Sequence, residues 1–524
     1  NKKNTLDVML GHEYSYRGSE YLLGQAKDFP FDNLGNNNLG LGATPSQVRT
    51  YKSEKRSLSF FARGTYNYDN RYLLTATVRA DGSTVFSKKN KWGYFPSFSA
   101  AWRVSEEAFL KNIEWISNMK VRLGWGIVGN DRIANNLSQD LYTTSKYGIG
   151  SSLVTVLNSK HLPNKDLKWE TTEQWNVGLD LGFFDERISV NVDWYMKTTR
   201  DLLLDADMSY TTGFKSAMKN VGKVRNSGVE FTLNTINYNK NGFKWSTNFN
   251  IAFNKNKVLE LAEGQKSLLT SAYFDQAYNT QPTYIAKKGY SMGMMYGYQY
   301  EGTYKYEDFY KSGDTYVLRP GVPYYSSESN TQPGMPKYKD LNGDGVIDSN
   351  DRTMIGRGLP IHTGGFTNDF EYKGFDLSIF FQWSYGNDIL NANRLFFENV
   401  NNSRNLNQYA TYADRWTPEN PYSDIPVAKN SSSNKVVSSR VIEDGSFLRL
   451  KTLSIGYTLP KKVIKKWRIS NARVYVAGQN LWTISGYSGY DPEVSIRNSA
   501  LTPGLDYSAY PRAYAVNFGV NLGF

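Results

Sequence analysis

The chain has 524 residues, 40% apolar and 15% aromatic, with 39 Tyr, 27 Phe and 12 Trp. It has no cysteine, which excludes disulfides and thiolate metal sites, and no run near the roughly 18 apolar residues that a membrane helix needs. The net charge is +12, but Lys and Arg are scattered along the chain rather than gathered on one arm or helix, so nucleic acid is not an expected partner.

Few apolar residues with many aromatics suit a wall one residue thick better than a thick core. The chain begins at Asn1 with no charged-then-apolar leader and enters a strand between Thr5 and Tyr14, which reads as a processed or C-terminal portion of a longer protein. From there apolar residues alternate with small or polar ones in segments of about ten, the length a tilted strand needs to cross a bilayer. Leu58, Phe60, Ala62 and Tyr66 are one such set, and Tyr72, Leu74, Ala76 and Val78 the next. Val121, Leu123, Trp125 and Ile127 follow, then Trp175 to Phe183, Ile188 to Trp194, Phe243 to Phe253 and Phe375 to Trp383. The last is the clearest: Tyr514, Val516, Phe518, Val520, Leu522 and Phe524 alternate with Ala515, Asn517, Gly519, Asn521 and Gly523. The expected apolar, lipid-facing phase includes Val190, Val192, Trp194, Phe518 and Leu522.

Fourteen strands are expected, from near residues 5, 56, 71, 93, 119, 172, 186, 224, 243, 363, 375, 446, 472 and 513. Leu448 and Leu450 run out of phase with Leu453 and Ile455, and a bulge near Lys451 repairs this. Short connections carry turn chemistry at Asp69-Asn70, Phe184-Asp185, Asn239 to Gly242 and Lys373-Gly374. Two others hold helical turns, Glu106 to Asn118 and Lys461 to Trp467. Between them lie long polar loops at 17–55, 81–92, 130–169, 204–222, 259–360, 387–444 and 483–511. Short turns on one side and long loops on the other are the signature of outer-membrane barrels. The fold class expected is therefore all-β, a transmembrane antiparallel β-barrel over residues 1–524, with 259–360 as a long extracellular loop.

That loop holds the sharpest local motif. In Asp340-Leu-Asn342-Gly-Asp344-Gly345-Val346-Ile-Asp348-Ser-Asn-Asp351, oxygen side chains fall at positions 1, 3, 5, 9 and 12, with Gly at 6. This is calcium-loop spacing. The six expected ligands are Asp340, Asn342, Asp344, Asp348 and Asp351 through their side chains and Val346 through its carbonyl, and the ion's role would be structural. Asp351 stands where a helix-loop-helix calcium site has Glu, and no helical periodicity flanks the loop. The alternative is a hairpin tip whose carboxylates are simply solvated.

Catalytic chemistry has little to work with. The three histidines are His12, His161 and His362; His12-Glu13 is followed by Tyr16 where a zinc-peptidase helix would carry its second His. No carboxylate pair is singled out, and an enzyme is not expected. Arg63, Arg79, Arg103, Arg122, Lys244 and Arg473 share the inward phase. They read as salt bridges to something filling the barrel or, less favoured, as a wall that draws anions. Tyr273, Tyr278, Tyr284, Tyr324 and Tyr325 either stack on cargo or pack the loops together.

Several runs together resemble the SusC/RagA-type TonB-dependent transporters of Bacteroidota outer membranes. They are Arg71 to Ser83, Trp92 to Ser97, Asn220 to Glu230, Tyr338 to Asp351, Gly374 to Ser378, Trp416 to Pro421 and Gly478 to Leu481. The resemblance covers most of the chain. It implies a plugged barrel of about 22 strands, of which about eight, with plug and signal peptide, lie outside this chain. It also implies import of a large nutrient, a glycan, oligosaccharide or peptide, energised by TonB through the missing N-terminal part, with a SusD-like surface lipoprotein as lid. Asn517, Gly519, Leu522 and Phe524 are similar to the signal read by the barrel-assembly machinery. The rival readings are a passive outer-membrane porin and a soluble carbohydrate-binding β-protein.

Overall fold

Alternating side chains dictate extended backbone, and extended backbone must pair. The computed structural model describes residues 3–524 apart from 32, 34, 208–209, 215, 263, 273, 276–280, 401–405, 430–435 and 498. Fourteen strands follow one another in one sheet in chain order: β1 (Asn4–Lys27), β2 (Thr44–Tyr68), β3 (Tyr72–Ser83), β4 (Trp92–Arg103), β5 (Ile116–Asn130), β6 (Glu170–Phe183), β7 (Ile188–Arg200), β8 (Lys223–Lys240), β9 (Phe243–Glu260), β10 (His362–Tyr372), β11 (Phe375–Tyr385), β12 (Phe447–Thr458), β13 (Asn471–Ser485) and β14 (Ala515–Gly523). Each expected strand is present. Only β2 departs clearly, beginning at Thr44 rather than near 56.

The chain divides into two compact units. The first comprises Asn1–Arg103, Val121–Val177 and Lys197–Lys223. Here β1 and β2 form a long antiparallel ladder from Asn4↔Tyr68 to Lys27↔Thr44. The added stretch of β2 carries Gln47, Arg49, Lys52, Glu54 and Lys55, so hydrophobic period alone did not reveal it. The expected loop 17–55 accordingly shrinks to 28–43. Asp69 and Asn70 both take positive φ (52° and 54°), the geometry of a tight hairpin turn that matches strand twist. Two expected loops contain hairpins of their own, Tyr142–Ile149 with Ser152–Ser159 and Leu203–Asp207 with Ser216–Asn220. Val85, Phe86 and Leu167 form a small core under these loops, against Ile133, Leu137 and Trp169.

The second unit comprises Val104–Lys120, Gly178–Met196 and Val224–Phe524. Helical structure over Glu106 to Asn118 is limited to a 3₁₀ turn at Val104–Glu106, and β5 already begins at Ile116. The second expected helical turn forms, as a helix over Lys461–Ile464 and a 3₁₀ turn over Lys465–Trp467. The bulge sits where the phase slip requires it: Phe380 and Phe381 of β11 pair with Thr452 and Leu450, which leaves Lys451 as the extra residue. In the last hairpin, Val474↔Val520, Val476↔Phe518 and Ala472↔Leu522 stack apolar residues across strands. Ring pairs gather at the short-turn ends: Trp115 with Phe183 at 5.8 Å, Trp245 with Phe370 at 5.7 Å and Phe375 with Tyr457 at 4.5 Å. Such a band is the interfacial aromatic girdle of barrels.

The main apolar core of this unit is not in the wall. Phe274, Tyr284, Met295, Leu390, Leu395, Phe396, Val437, Val441 and Leu505 bury one another inside the long connections. Loops expected to be polar thus fold into small sheets. One has four strands, Ser267–Thr270, Tyr284–Lys287, Met294–Tyr298 and Arg352–Arg357. Another joins Asp388–Asn391 to Ile442–Asp444 on one side and to Leu505–Asp506 on the other.

Trp194, Phe518 and Leu522 are exposed, and Val190 and Val192 half-buried. On the opposite phase Asn191 donates to Asp180 at 2.8 Å. Val192→Arg should cost about 2–4 kcal/mol by placing a cation on the lipid phase, and Asn191→Arg much less beside the Asp180 carboxylate. Folding titrations in lipid vesicles would measure both; equal costs would contradict the assignment of faces.

Candidate functional site

A cavity of about 960 Å³ opens among the long connections of the second unit. One side is a single helical turn, α1 (Arg394–Phe397), whose first residue pairs with the residue after its last: Arg394 Nε donates to Glu398 Oε2 at 2.9 Å. The opposite sides come from Gln408 to Thr411, from Glu443, and from two stretches in the last long loop, Ser488 to Tyr490 and Asp506 to Ala509. A second cavity of about 320 Å³ shares Tyr490, Asp506 and Ala509 with it.

The polar groups behind this lining are fixed by one another. Glu398 is 5% exposed and takes Arg440 Nη1 at 2.7 Å and Thr411 Oγ1 at 3.0 Å in addition to Arg394. Arg394 Nη1 also donates to the Arg440 carbonyl at 2.9 Å and to Glu443 Oε1 at 3.3 Å. Glu443 accepts from Asn391 Nδ2 at 3.0 Å and from the Ser488 amide at 2.8 Å. Buried charges persist only when paired in this way. Asp506 is 3% exposed; its Oδ2 accepts the Tyr487 hydroxyl at 2.5 Å. Burial, then that carboxylate, push the Tyr487 phenol far above its usual range, so it stays a donor. Phe397, Tyr409 and Tyr490 supply apolar faces; Tyr490 is 81% exposed. Aromatic faces beside a few fixed polar groups are the general make-up of small-molecule pockets.

None of these residues was singled out by sequence motif. The one local signal is Arg394 and Glu398 standing four apart around Leu395, Phe396 and Phe397, a charged pair in an apolar turn.

The residues that sequence did single out fall elsewhere. The loop from Asp340 to Asp351 closes on its own backbone amides. Asp340 accepts from Gly345 at 2.8 Å and Gly343 at 2.7 Å, which holds its carboxyl below the usual range. Asp351, buried, accepts from Leu341 and Asp348, each at 2.8 Å. Asn342, Asp344 and Asp348 each take an amide two residues on. Gly343 and Gly345 have φ of 77° and 84°, which a side chain would resist. Among the described residues no three acidic or histidine side chains converge as a ready-made metal group. Each bonded oxygen keeps a second acceptor position, so the donor set still suits a hard cation.

Several inward-phase cations have partners on the wall itself. Arg79 binds Asp81 at 2.7 Å and Glu13 at 3.0 Å, Lys244 binds Glu371 at 3.3 Å, and Arg473 Nε binds Asp376 at 2.9 Å. Of the loop tyrosines, Tyr284 is fully buried and Tyr325 packs on Tyr298 and Tyr338, so these two hold the loops together. Tyr273 and Tyr278 lie outside the described residues. On β14, Asn517 and Leu522 are exposed, as is Phe524 just after it, while the Tyr475 ring lies over Gly519 so closely that an added Cβ would meet it at 2.3 Å.

A family model described as TonB dependent receptor-like β-barrel matches residues 1–402. The chain is 35% identical over 528 residues to TonB-dependent receptor P3 of Formosa agariphila, covering 99% of this chain and 51% of that protein. It is 30% identical to TonB-dependent receptor SusC of Bacteroides thetaiotaomicron, covering 99% of this chain and 48% of the other. Among solved structures, that of the RagAB peptide transporter superposes with a TM-score of 0.83 at 26% identity, covering all of this chain and 54% of its own. The chain spans about half the length of these relatives.

Proposed function

This chain belongs to the TonB-dependent receptor family in its SusC/RagA branch and is an outer-membrane β-barrel portion; from that premise we propose that it serves TonB-dependent import of a large nutrient. The cargo is an oligosaccharide or peptide, a SusD-like lipoprotein covers the long-loop side, and TonB supplies the energy. The observation that carries this reading is the 960 Å³ cavity among the long loops, with its aromatic faces and interlocked polar groups. A site of this size suits several sugar rings or residues rather than an ion. No catalytic role is assigned to it. Family membership also sets aside the soluble β-protein reading.

Ala509 lines both cavities. Ala509→Trp in the full-length protein should fill the opening and abolish uptake of the growth-supporting cargo, while heat-modifiable mobility of the barrel stays normal. Uptake at the wild-type rate in cells carrying it would contradict the reading.

We propose a structural calcium ion at Asp340, Asn342, Asp344, Val346, Asp348 and Asp351. Hard oxygen ligands suit calcium over magnesium, which demands tighter octahedral geometry, with an affinity on the order of 10⁻⁴ to 10⁻³ M for extracellular modules. Millimolar calcium should protect the loop from limited proteolysis, and Asp340→Ala with Asp344→Ala should remove the protection. Cleavage that ignores both calcium and chelator would rule the ion out.

We also propose that the barrel-assembly machinery reads Asn517, Gly519, Leu522 and Phe524. Deleting Phe524 should lower the amount of folded protein in the outer membrane several-fold. Unchanged abundance would argue against that role.

A further inference from the structure

A basic patch without counter-charge lies at the short-turn end of the wall. The connection from β12 to β13 carries Lys461, Lys462, Lys465, Lys466 and Arg468, all exposed. No acidic residue stands between Asp444 and Asp491 in the sequence, and among the described residues none of the five cations is in an ion pair. The carboxylates of the adjoining β10–β11 hairpin are taken, Asp376 by Arg473 Nε at 2.9 Å and Glu371 by Lys244 at 3.3 Å. Lys461 and Lys465 stand four apart in a helical segment, as do Lys462 and Lys466, and like charges at that spacing repel. The arrangement is destabilising unless an anion from outside the protein lies against it.

The same segment presents apolar surface. Ile464 is fully buried and holds the turn to the protein, while Val463 is 48% and Trp467 64% exposed, again four apart. The helix α2 (Lys461–Ile464) lies against β13, whose first lipid-phase residue, Ala472, is buried although Val474 and Leu522 on that phase are exposed. The turn thus sits over the lipid face at its short-turn edge. There it continues the aromatic band, in which Phe375 packs on Tyr457 and the Lys373 ammonium lies 5.1 Å from the Tyr372 ring centre. Tryptophan and cations beside an apolar wall suit a segment seated at headgroup depth.

Short turns of outer-membrane barrels face the periplasm. We propose that Lys461 to Arg468 is a binding site for anionic phospholipid of the periplasmic leaflet: the cations hold the headgroup phosphate, and Val463 and Trp467 lie against the upper part of the acyl chains. A soluble phosphate ester would meet the cations equally well but would leave the apolar half of the site bare. The site is independent of the cavity and of the cargo.

The test places the full-length protein in phosphatidylcholine vesicles with a trace of spin-labelled phosphatidylglycerol or spin-labelled phosphatidylcholine. Electron paramagnetic resonance then measures the lipid immobilised at the protein surface. Wild type should retain phosphatidylglycerol severalfold better than phosphatidylcholine, and molar salt, with a screening length of about 3 Å, should remove most of that preference. Lys465→Gln with Lys466→Gln should lower the preference by about twofold or more. Lys88→Gln with Lys89→Gln, in the loop between β3 and β4, removes the same charge and should leave it unchanged. Trp467→Ala should weaken retention of phosphatidylglycerol with every cation in place, which a purely electrostatic patch would not do. Heat-modifiable mobility shows that each variant is folded, and the salt arm needs no variant. Equal retention of the two lipids by wild type, equal effects of the two double variants, or wild-type retention in Trp467→Ala would each overturn the proposal. Displacement of the labelled phosphatidylglycerol by millimolar glycerol phosphate would assign the patch to a soluble anion and overturn it as well.

Discussion

Inside a hydrocarbon layer no water is available to a peptide group, so every N–H and C=O must find its partner within the protein. For a chain without apolar helices, sheet pairing is the remaining solution. The rest of this molecule follows from that condition. Pairing fixes extended backbone, extended backbone fixes a two-residue side-chain period, and the period leaves one phase for lipid and the other for polar groups. A wall built in this way buries little against itself. Stability there comes from ladders and cross-strand contacts such as Val476 with Phe518, and the charges of the inward phase are satisfied by strand neighbours, as Arg473 is by Asp376.

The same condition explains what was legible in the sequence. Strands that cross the apolar layer must alternate, and their number and order could be read directly; so could the β12 bulge, since one extra residue restores phase between Leu450 and Leu453. Beyond the apolar layer the constraint lapses. The outer stretch of β2 is paired but polar on both faces, and pattern reading took it for loop. The loop core was also hidden: Leu390, Val441 and Leu505 lie in apolar stretches of one or two residues, far apart in sequence, and no periodicity links them.

The two places singled out for chemistry differ in how they encode it. The Asp340–Asp351 loop is local, so its spacing shows in the sequence, and it holds its shape through its own carboxylates and amides. The cavity is non-local. Its charged residues come from segments around 394, 443 and 506, and each is placed by a partner from another segment. Only Arg394 and Glu398 carry a trace of it that spacing could reveal. Motif reading therefore favours the self-contained loop, while the larger ligand space depends on tertiary structure.

The parallel pairing of Leu390 with Leu505 has a consequence for the order of events in assembly. Wall strands meet chain neighbours, as Tyr68 meets Tyr72 across three residues, so loop-closure entropy is low and hairpins can form in succession. The cavity has no such route. Its Asp506 side is set beside Asn391 only after more than a hundred intervening residues have found their places, and Tyr284 reaches across a still longer separation to the Pro503 carbonyl. By the same entropy argument the cavity closes late in folding, once the last long loop has reached Asn391.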